Sequence, residues 1–408
     1  MTEEEKRVIV VGGGASGLMA AGTAAGRGQR VTVLERNRKV GRKLRIAGKG
    51  RCNITNDTDI DDLLEHIPGN PKFLRTAFYR FGPRDAIAFF NDLGLPTKTE
   101  RGGRVFPVSD DAEDVVTALL KFCRKSGVQF RNETPVKRVL SGAGRVSGVL
   151  TESGDAVLGD AVILAAGGAS YPATGSQGDG YRMAAELGHT IVPIRPSLVP
   201  LETEETWPAE AQGLSLRNVA LTALSPGGKK LYSELGELLF THFGISGPLV
   251  LSASRHAEPG GKLVIDLKPG LTEEQLDARI LRDFEKFHRR EFGNALGDLL
   301  PSSLIPIIVR LSHIGMDTFV HNVTREQRQD LVRLLKNLIL TVKKARPFSE
   351  AVTTAGGVSV KEIDPRTLES KIIPGLYFTG EVIDVDAYTG GYNLQIAWST
   401  GHLAGESV

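Results

Sequence analysis

Residues 7–35 read RVIVVGGGASGLMAAGTAAGRGQRVTVLE, and this stretch decides the fold. After its arginine, the run Arg7–Val11 is β-branched and apolar, as a strand buried in a parallel sheet requires. The alanine-rich run Ala15–Gly26 is typical of a helix, and Arg30–Leu34 predicts a second strand. The stretch therefore predicts a strand–helix–strand unit with a parallel strand pair.

The turn between the first strand and the helix, the glycine loop (Gly12–Gly17), satisfies the pattern G-x-G-x-x-G. Gly12 permits a tight turn, Gly14 lets the backbone approach a pyrophosphate, and Gly17 lets the helix pack close to the strand. The N-terminal amides and the dipole of that helix attract phosphates. Glu35 follows the second strand, where a carboxylate accepts hydrogen bonds from a ribose diol. The pattern predicts a dinucleotide site, and by itself it leaves NAD and FAD open.

A second loop follows the second strand and is rich in positive charge. This basic loop (Gly41–Asn56) reads GRKLRIAGKGRCNITN. One interpretation is a solvated surface loop. The other is a loop folded against a pyrophosphate, which Lys43 and Arg51 would neutralise. A domain that binds only NAD usually continues into its next helix here, so the long loop favours the larger cofactor FAD.

Two later segments also favour FAD. Residues 160–171, DAVILAAGGASY, predict a strand that ends in small residues, where backbone can pass close to a ligand. Before it, Val136 begins a predicted hairpin against which an adenine ring could lie. Residues 375–405 predict a strand, a Gly-Gly turn and a helix from about Asn393, and a positive helix end suits the pyrimidine edge of a flavin. Glu381 could bind the ribityl chain, although a purely structural strand–turn–helix stays open.

The chain resembles a group of bacterial NAD(P)/FAD-dependent oxidoreductases in five strings: VGGGASGLMAA, GRKLRIAGKGRCNITN, LAAGGASYPATGSQGDGY, FTHFGISGP and TGEVIDVDAYTGGYNLQIAWSTG. The group includes aminoacetone-oxidase-like proteins and a reductase of unsaturated bile-acid intermediates, and the resemblance runs from about residue 7 to 405. It implies an α/β fold, in which a glutathione-reductase-like FAD-binding Rossmann domain carries an inserted β-barrel plus helical domain.

The resemblance also implies which residues contact FAD. They are Gly12, Gly14, Ser16, Gly17, Glu35, Arg36, Lys43, Val136, Gly167, Glu381, Asn393 and Leu394. Neighbouring positions in the same loops complete the predicted set: Ala15, Arg51, Asn53, Ala166 and Gly391.

The composition predicts where the insertion begins, because short β-rich runs separated by Pro and Gly appear from about Arg195. We expect a first part of the FAD-binding domain at 1–194, the inserted domain at 195–345 and the second part at 346–408. The strands expected in the insert are Leu198–Leu201, Val219–Leu224, Lys230–Tyr232 and Lys262–Asp266. The expected helices are Pro71–Gly94 and Asp111–Gly127 in the first part, and Thr272–Arg290, Leu304–His313 and Arg325–Asn337 in the insert.

Two residues are candidates for a catalytic role. His242, in the glycine-rich segment Glu237–Pro248, could donate a proton over the substrate face of the flavin, although a histidine that only satisfies a turn is the simpler interpretation. Cys52 lies near the position of the cysteine pair of disulfide reductases, but it has no C-x-x-C partner. Cys123 is expected to be a buried structural thiol.

The whole-chain composition excludes several classes of protein. Only two cysteines occur in 408 residues, which excludes a disulfide scaffold and favours a cytoplasmic protein. The 50 basic and 48 acidic residues nearly balance, so we expect no nucleic-acid partner. The acidic N-terminus is no signal peptide, the apolar stretches are too short for a membrane partner, and no motif predicts a metal site. The oligomeric state stays open.

These patterns predict an enzyme that moves a hydride between a small organic substrate and FAD. NAD(P)H or oxygen is the expected second partner, and the direction of the reaction stays open. One alternative is a flavin-dependent tRNA-modifying enzyme, for which basic residues between Arg279 and Arg290 would form the contact. Acidic residues are interleaved with them, which favours a solvated helix face. A non-catalytic flavin sensor is the other alternative.

Overall fold

The computed structural model describes residues 5–408, which divide into two units. Unit 1 comprises residues 5–197 and 348–408, and unit 2 comprises Leu198–Pro347. Unit 2 is thus an insertion that separates the two parts of unit 1 in the sequence.

The strands, in chain order, are β1 (Arg7–Val11), β2 (Arg30–Leu34), β3 (Thr55–Asn56), β4 (Thr97–Glu100), β5 (Arg104–Pro107), β6 (Gln129–Arg131), β7 (Val136–Gly142), β8 (Arg145–Thr151), β9 (Ala156–Leu158), β10 (Ala161–Leu164), β11 (Ile191–Ser197), β12 (Leu201–Thr203), β13 (Ser215–Leu224), β14 (Lys230–Thr241), β15 (Gly244–Ser246), β16 (Lys262–Asp266), β17 (Leu338–Ala345), β18 (Thr353–Val358) and β19 (Leu376–Phe378). The helices are α1 (Ala15–Gly26), α2 (Arg42–Ile46), α3 (Ile60–Glu65), α4 (Arg75–Arg80), α5 (Pro83–Asp92), α6 (Ala112–Lys125), α7 (Asp179–Glu186), α8 (Pro248–Ser254), α9 (Glu273–Lys286), α10 (Phe292–Ala295), α11 (Ile305–Ser312), α12 (Arg325–Lys336) and α13 (Tyr392–Ser407).

A parallel sheet forms the centre of unit 1, with strand order β19-β10-β1-β2-β6. Its central strand is buried along Val8–Val11, which explains why the sequence there is continuously apolar and does not alternate. The strand–helix–strand unit predicted from residues 7–35 is confirmed at its exact bounds. Smaller antiparallel sheets accompany it, with orders β3-β5-β4, β7-β8-β9 and β11-β18.

Helix α13 packs closely on α1, and two glycines make this approach possible. A Cβ added at Gly401 would lie 2.4 Å from the carbonyl oxygen of Ser16, and one added at Gly405 would lie 2.6 Å from that of Ala20. Spaced four residues apart, the two glycines lie on the same face of α13. The first helix of unit 1 and a helix beyond the insertion therefore form one packed pair.

The segment Pro71–Gly94 is not the single helix that its apolar spacing predicts. It forms a 3₁₀ turn at Pro71–Leu74, then α4, then α5, which begins at Pro83. Proline at the first position of a helix lacks the amide that would continue the preceding one, so the chain breaks at Gly82. Phe73, Phe78 and Phe81 of this segment are buried in the core, whereas Tyr79 is exposed.

Unit 2 contains a closed barrel, with strand order β12-β15-β14-β13-β16-β17, and the helices α8 to α12. Its core includes the fully buried side chains of Phe240, Leu263 and Leu340. The barrel and helices confirm the predicted architecture of the insert. The expected strand Leu198–Leu201 is wrong, because the first barrel strand begins only at Leu201.

In the part of the chain that the structure describes, residues 5–408, no helix is both long and apolar enough to cross a membrane.

Candidate functional site

The predicted FAD contacts converge on one edge of the parallel sheet. The glycine loop follows β1, Glu35 follows β2, Ala166 and Gly167 follow β10, and Glu381 lies three residues beyond β19. The carboxyl ends of parallel strands meet at the same edge, which is where open α/β sheets bind their ligands. The structure therefore brings these four segments of unit 1 together.

The three glycines of the G-x-G-x-x-G pattern meet different surroundings. Gly12 has φ of +104°, and a Cβ there would lie 2.5 Å from the carbonyl oxygen of Ala165. A Cβ at Gly17 would lie only 2.0 Å from the carbonyl oxygen of Gly12. A Cβ at Gly14, in contrast, would meet no heavy atom within 4 Å. Packing therefore requires Gly12 and Gly17, whereas Gly14 faces open space that a ligand can fill.

Glu35 connects the glycine loop to the end of β2 through hydrogen bonds. Its buried carboxylate accepts a hydrogen bond of 2.9 Å from the backbone N–H of Gly13 through Oε2. Its Oε1 accepts one of 2.8 Å from the backbone N–H of Asn37. The carboxylate thus lies beside the loop, as a ribose-binding acid must, and the ribose contact itself stays a prediction.

Lys43 and Glu381 form an ion pair, with 2.6 Å between Lys43 Nζ and Glu381 Oε2. Glu381 Oε1 also accepts hydrogen bonds from Ser170 Oγ, at 2.9 Å, and from the backbone N–H of Thr354, at 2.8 Å. Burial alone would raise the pKa of Glu381, but the charge of Lys43 and these hydrogen bonds outweigh it and hold the pKa below its usual value. Glu381 is therefore ionised at neutral pH.

This pair fixes the loop after β10. A Cβ at Gly168 would lie 2.5 Å from Glu381 Oε1 and 2.5 Å from Thr354 Oγ1, so no larger residue fits there. Ser170 was not among the predicted site residues, although it lies only two residues after Gly168. The side chains of Lys43 and Glu381 remain 27% and 20% exposed, so each keeps an accessible side. Their predicted contacts with pyrophosphate and ribityl stay predictions.

Arg51 does not carry a free charge toward the glycine loop. Its guanidinium bonds Asp110 Oδ1 at 2.9 Å and Glu100 Oε1 at 2.5 Å, and it lies 4.1 Å from the centre of the Phe106 ring. The hydrogen bond from Arg51 lowers the pKa of Glu100, and those from Lys98 and Arg51 lower the pKa of Asp110. Two carboxylates thus compensate the charge of Arg51, and its contact with a pyrophosphate stays a prediction.

Neither cysteine is placed for thiol chemistry. Cys52 is fully buried, and burial raises the pKa of its thiol far above the usual value. A buried protonated thiol is no nucleophile, so the structure argues against Cys52 as a catalytic residue. Cys123 is buried as predicted, and its Sγ donates to the carbonyl oxygen of Leu18 at 3.2 Å.

The side-chain oxygen Oδ1 of Asn53, in the basic loop, is buried without a hydrogen-bond partner among the described residues. The following residues pack against the Gly-Gly turn, because Asn56 Nδ2 donates to the carbonyl oxygen of Gly390 at 3.1 Å. A Cβ at Gly391 would lie 2.4 Å from the carbonyl oxygen of Thr55. An unpaired buried acceptor is costly, so Asn53 Oδ1 fits a ligand that donates a hydrogen bond.

The N-terminus of α13 lies at this same turn, with Gly391 as its N-cap at φ of +99°. The backbone N–H groups of the first helical turn, which includes Asn393 and Leu394, have no partner within the helix. The Asn393 side chain donates to the carbonyl oxygen of Ala387 at 2.8 Å and accepts from its N–H at 3.0 Å. Its carboxamide thus holds the preceding loop, which leaves the backbone amide of Asn393 for a cofactor.

The remaining predicted residues lie around the same sheet edge. Ser16, in the first turn of α1, accepts a hydrogen bond of 3.2 Å from Thr379 Oγ1, and Ala15 opens the helix beside it. Arg36 forms an ion pair with Asp179. Val136 begins β7 and is buried.

His242 belongs to unit 2, where it lies in the turn between β14 and β15. It is exposed, and its ring packs edge-on against Phe243 with 5.0 Å between the ring centres. Its role as a proton donor stays a prediction.

The parallel sheet, the glycine loop and the inserted barrel form the architecture of FAD-binding oxidoreductases, and the relatives of the chain show that it is an FAD-dependent oxidoreductase. Residues 6–407 match the family described as HI0933-like protein Rossmann domain, and the chain belongs to this family.

Two relatives extend along essentially the whole chain. A 3-dehydro-bile acid delta(4,6)-reductase from Clostridium scindens is 37% identical, with 98% of each chain covered. A ribosomal RNA dihydrouridine synthase from Haemophilus influenzae is 33% identical, also with 98% of each chain covered. Among solved structures, 3-ketosteroid delta1-dehydrogenase from Sterolibacterium denitrificans has a similar fold, with a TM-score of 0.52 at 14% identity over 98% of this chain and 99% of that one.

Proposed function

We propose that this chain is a flavoenzyme that reduces a carbon–carbon double bond conjugated to a carbonyl group. The proposal rests on the names of the two relatives, because both names describe the saturation of a carbon–carbon double bond conjugated to a carbonyl group. A delta(4,6)-reductase of a 3-oxo steroid saturates double bonds conjugated to that oxo group. Dihydrouridine arises when the uracil double bond, which is conjugated to a ring carbonyl, is saturated. The two relatives are 37% and 33% identical to this chain. The functional group that their substrates share supports the reduction of a conjugated double bond by this chain as well.

The residues of unit 1 fit FAD at the sheet edge. Gly14 leaves open space for the pyrophosphate, and the unpaired Oδ1 of Asn53 suits the ring N–H donor of a flavin. Reduced FAD, when bound, supplies a hydride to the carbon β to the carbonyl, and a proton added at the α carbon completes the reduction. The N-terminal amides of α13 would stabilise the negative charge that gathers on the flavin pyrimidine.

The electrons for this reaction are proposed to come from NAD(P)H. Both cysteines are buried with raised thiol pKa values, which argues against a relay through a disulfide. The sequence carries one G-x-G-x-x-G turn, at Gly12–Gly17, and no second one for a nicotinamide domain. A pyridine nucleotide would therefore use the same face of the flavin as the substrate, and the two would bind in turn.

Anaerobic stopped-flow spectroscopy of the FAD-loaded protein tests this proposal. We expect NADH or NADPH to bleach the flavin band, and a 3-oxo-4,6-diene steroid or another enone to restore it. The matched control is the same ketone without the double bond, which must leave the flavin reduced. Equal reoxidation by both compounds, or reoxidation by oxygen alone, would contradict the proposal and indicate an oxidase. A flavin that no nicotinamide bleaches would favour a sensor.

A uracil base in RNA is a second candidate substrate. Dihydrouridine synthases from Haemophilus influenzae and Escherichia coli, at 33% and 32% identity, favour it. The test is to incubate the enzyme and NAD(P)H with a ribosomal RNA transcript and to measure dihydrouridine by mass spectrometry of the digested RNA. Dihydrouridine that appears only with the complete mixture would support this substrate, whereas its absence alongside steroid reduction would exclude it.

A further inference from the structure

We propose that a basic and aromatic surface of unit 2 binds single-stranded RNA. This RNA surface consists of Phe287, Arg289, Arg290, Asn294, Phe319 and His321. The choice of RNA deepens the proposed function and rests on it, since an unsaturated base in RNA carries the functional group that the flavin would reduce.

The backbone of the surface is fixed by pairing between two segments. The helix expected to reach Arg290 ends at Lys286, and the residues after it leave the helix axis. The backbone N–H of Val320 donates to the carbonyl oxygen of Arg290 at 3.1 Å, and that of Phe292 donates to the carbonyl oxygen of Thr318 at 2.7 Å. Arg290 and Phe319 are therefore held next to each other on the surface.

Two arginines supply the positive charge of the surface. Arg289 and Arg290 are exposed, and neither guanidinium has an ion pair among residues 5–408. Arg290 lies 4.5 Å from the centre of the Phe287 ring, which holds its guanidinium in place. By contrast, Lys286 of the same segment is paired with Asp298 at 2.7 Å. Arg279 and Lys286 are thus each bonded to a carboxylate, whereas Asp298 acts on Arg290 only through its charge and forms no ion pair with it.

An exposed aromatic pair stands beside these charges. Phe319 is 44% exposed, and the His321 ring stacks with it, with 5.6 Å between ring centres and 24° between planes. The His321 ring is itself held by a contact of 2.8 Å between its Nδ1 and the carbonyl oxygen of His288. Rings fixed at a surface with a free face are suited to stacking on bases, which is a sequence-tolerant mode of binding single strands.

The two arginines and Phe319 border one cavity. An open cavity of about 590 Å³ is lined by Arg289, Arg290, Glu291, Asn294 and Phe319. This volume lies in the range of small-ligand sites, and the proposal assigns the arginines to a phosphate and Phe319 to a base. The single carboxylate of the lining, Glu291, accepts a hydrogen bond of 3.1 Å from Asn294.

The nearly balanced charge of the whole chain does not contradict this proposal, because a single strand of RNA contacts only a local part of the protein surface. The expectation of no nucleic-acid partner came from the total of 50 basic and 48 acidic residues. That total includes ion pairs such as Arg279–Asp283 and does not show that Arg289 and Arg290 lack an ion-pair partner among residues 5–408. The proposal departs from that expectation for this reason.

Fluorescence anisotropy with a short labelled uridine-rich RNA, titrated with the FAD-loaded full chain at several salt concentrations, tests the surface. We expect the double variant R289Q/R290Q to bind about tenfold more weakly and to lower the slope of log K against log salt by about 1.4, which is two phosphate contacts on a single strand. Phe319→Ala should weaken RNA binding about tenfold. It should leave the binding of inorganic polyphosphate, which has no bases, unchanged.

The matched control is R217Q/K229Q, which removes two exposed positive charges from β13 and the turn after it. Its RNA binding should stay close to wild type, and all variants should keep the wild-type melting temperature and flavin band. Absence of binding by the wild type, or equal losses in control and R289Q/R290Q, would overturn the proposal. Reoxidation of the flavin by a small enone reports on the proposed function separately: if no enone reoxidises it while R289Q/R290Q still loses RNA binding, the proposed function fails and the surface stands.

Discussion

The glycine loop and the basic loop both border the candidate FAD site, but different interactions fix their shapes. Contacts within a few residues and with the adjacent strand fix the glycine loop, where a Cβ at Gly17 would lie 2.0 Å from the carbonyl oxygen of Gly12. Ion pairs with remote residues fix the basic loop, since Lys43 bonds Glu381, 338 positions away. The difference shows that a position where the backbone requires glycine can be recognised from the local sequence pattern. The ion-pair partner of a charged residue cannot be recognised in this way.

The largest effect is expected from Gly17→Ala in the glycine loop. The added Cβ collides with backbone that cannot move without displacing α1, so the free energy of unfolding should fall by about 3 kcal/mol. Gly14→Ala is the matched control, because its Cβ meets no protein atom and its φ of −83° suits alanine. This control should keep its stability and lose FAD affinity about tenfold. Urea denaturation and FAD titration measure both, and similar behaviour of the two variants would break the comparison.

In the basic loop, Glu381→Gln should lower the free energy of unfolding by about 2 kcal/mol, because it leaves the partly buried ammonium of Lys43 without its carboxylate. The loss should persist at high salt, since buried pairs are poorly screened. Ser170→Ala, which removes one hydrogen bond donated to the same carboxylate and one accepted from Lys43, should cost about 1.5 kcal/mol. Denaturation curves at low and high salt check this, and a loss that vanishes with salt would show that the pair behaves as an exposed one.

The same pair predicts a pH dependence. The folded protein holds the pKa of Glu381 below its ordinary value of 4.5, so the unfolded chain takes up the proton first as the pH falls. The stabilisation by Glu381 should therefore be complete above about pH 4.5 and decline below it. The measurement is the difference in unfolding free energy between wild type and Glu381→Gln across this range. A difference that grows with acid would contradict the assigned direction.

The smallest effect is expected from Arg51→Gln. Its carboxylate partners Glu100 and Asp110 are solvent-accessible, so the ion pairs are weak and screened by salt. The melting temperature should drop less than in Glu381→Gln, the drop should shrink at high salt, and FAD affinity should stay unchanged. Calorimetry and FAD titration test this. Loss of FAD from the Arg51→Gln variant would instead support the contact between Arg51 and the pyrophosphate that the sequence predicts.

The features that could be predicted from the sequence are those fixed by local patterns, and the features that could not be predicted depend on remote partners. The bounds of β1, α1 and β2 were predicted to the residue, because apolar runs and glycine spacing determine them locally. The break between α4 and α5 was missed, although its signal, Gly82-Pro83, is present in the sequence. The partners of Arg51 could not be predicted, because Glu100 and Asp110 lie 49 and 59 positions away and only the tertiary fold selects them.

The packing of α13 on α1 through Gly401 and Gly405 has a consequence for biosynthesis. Helix α1 is synthesised before unit 2, and α13 is synthesised after it. Unit 2 has its own buried core and can complete its folding while the sheet of unit 1 still lacks β19 and α13. A nascent chain that stops before Tyr392 carries a complete glycine loop without the helix that packs beside it. We therefore expect a finished chain to retain FAD and an interrupted one to lose it.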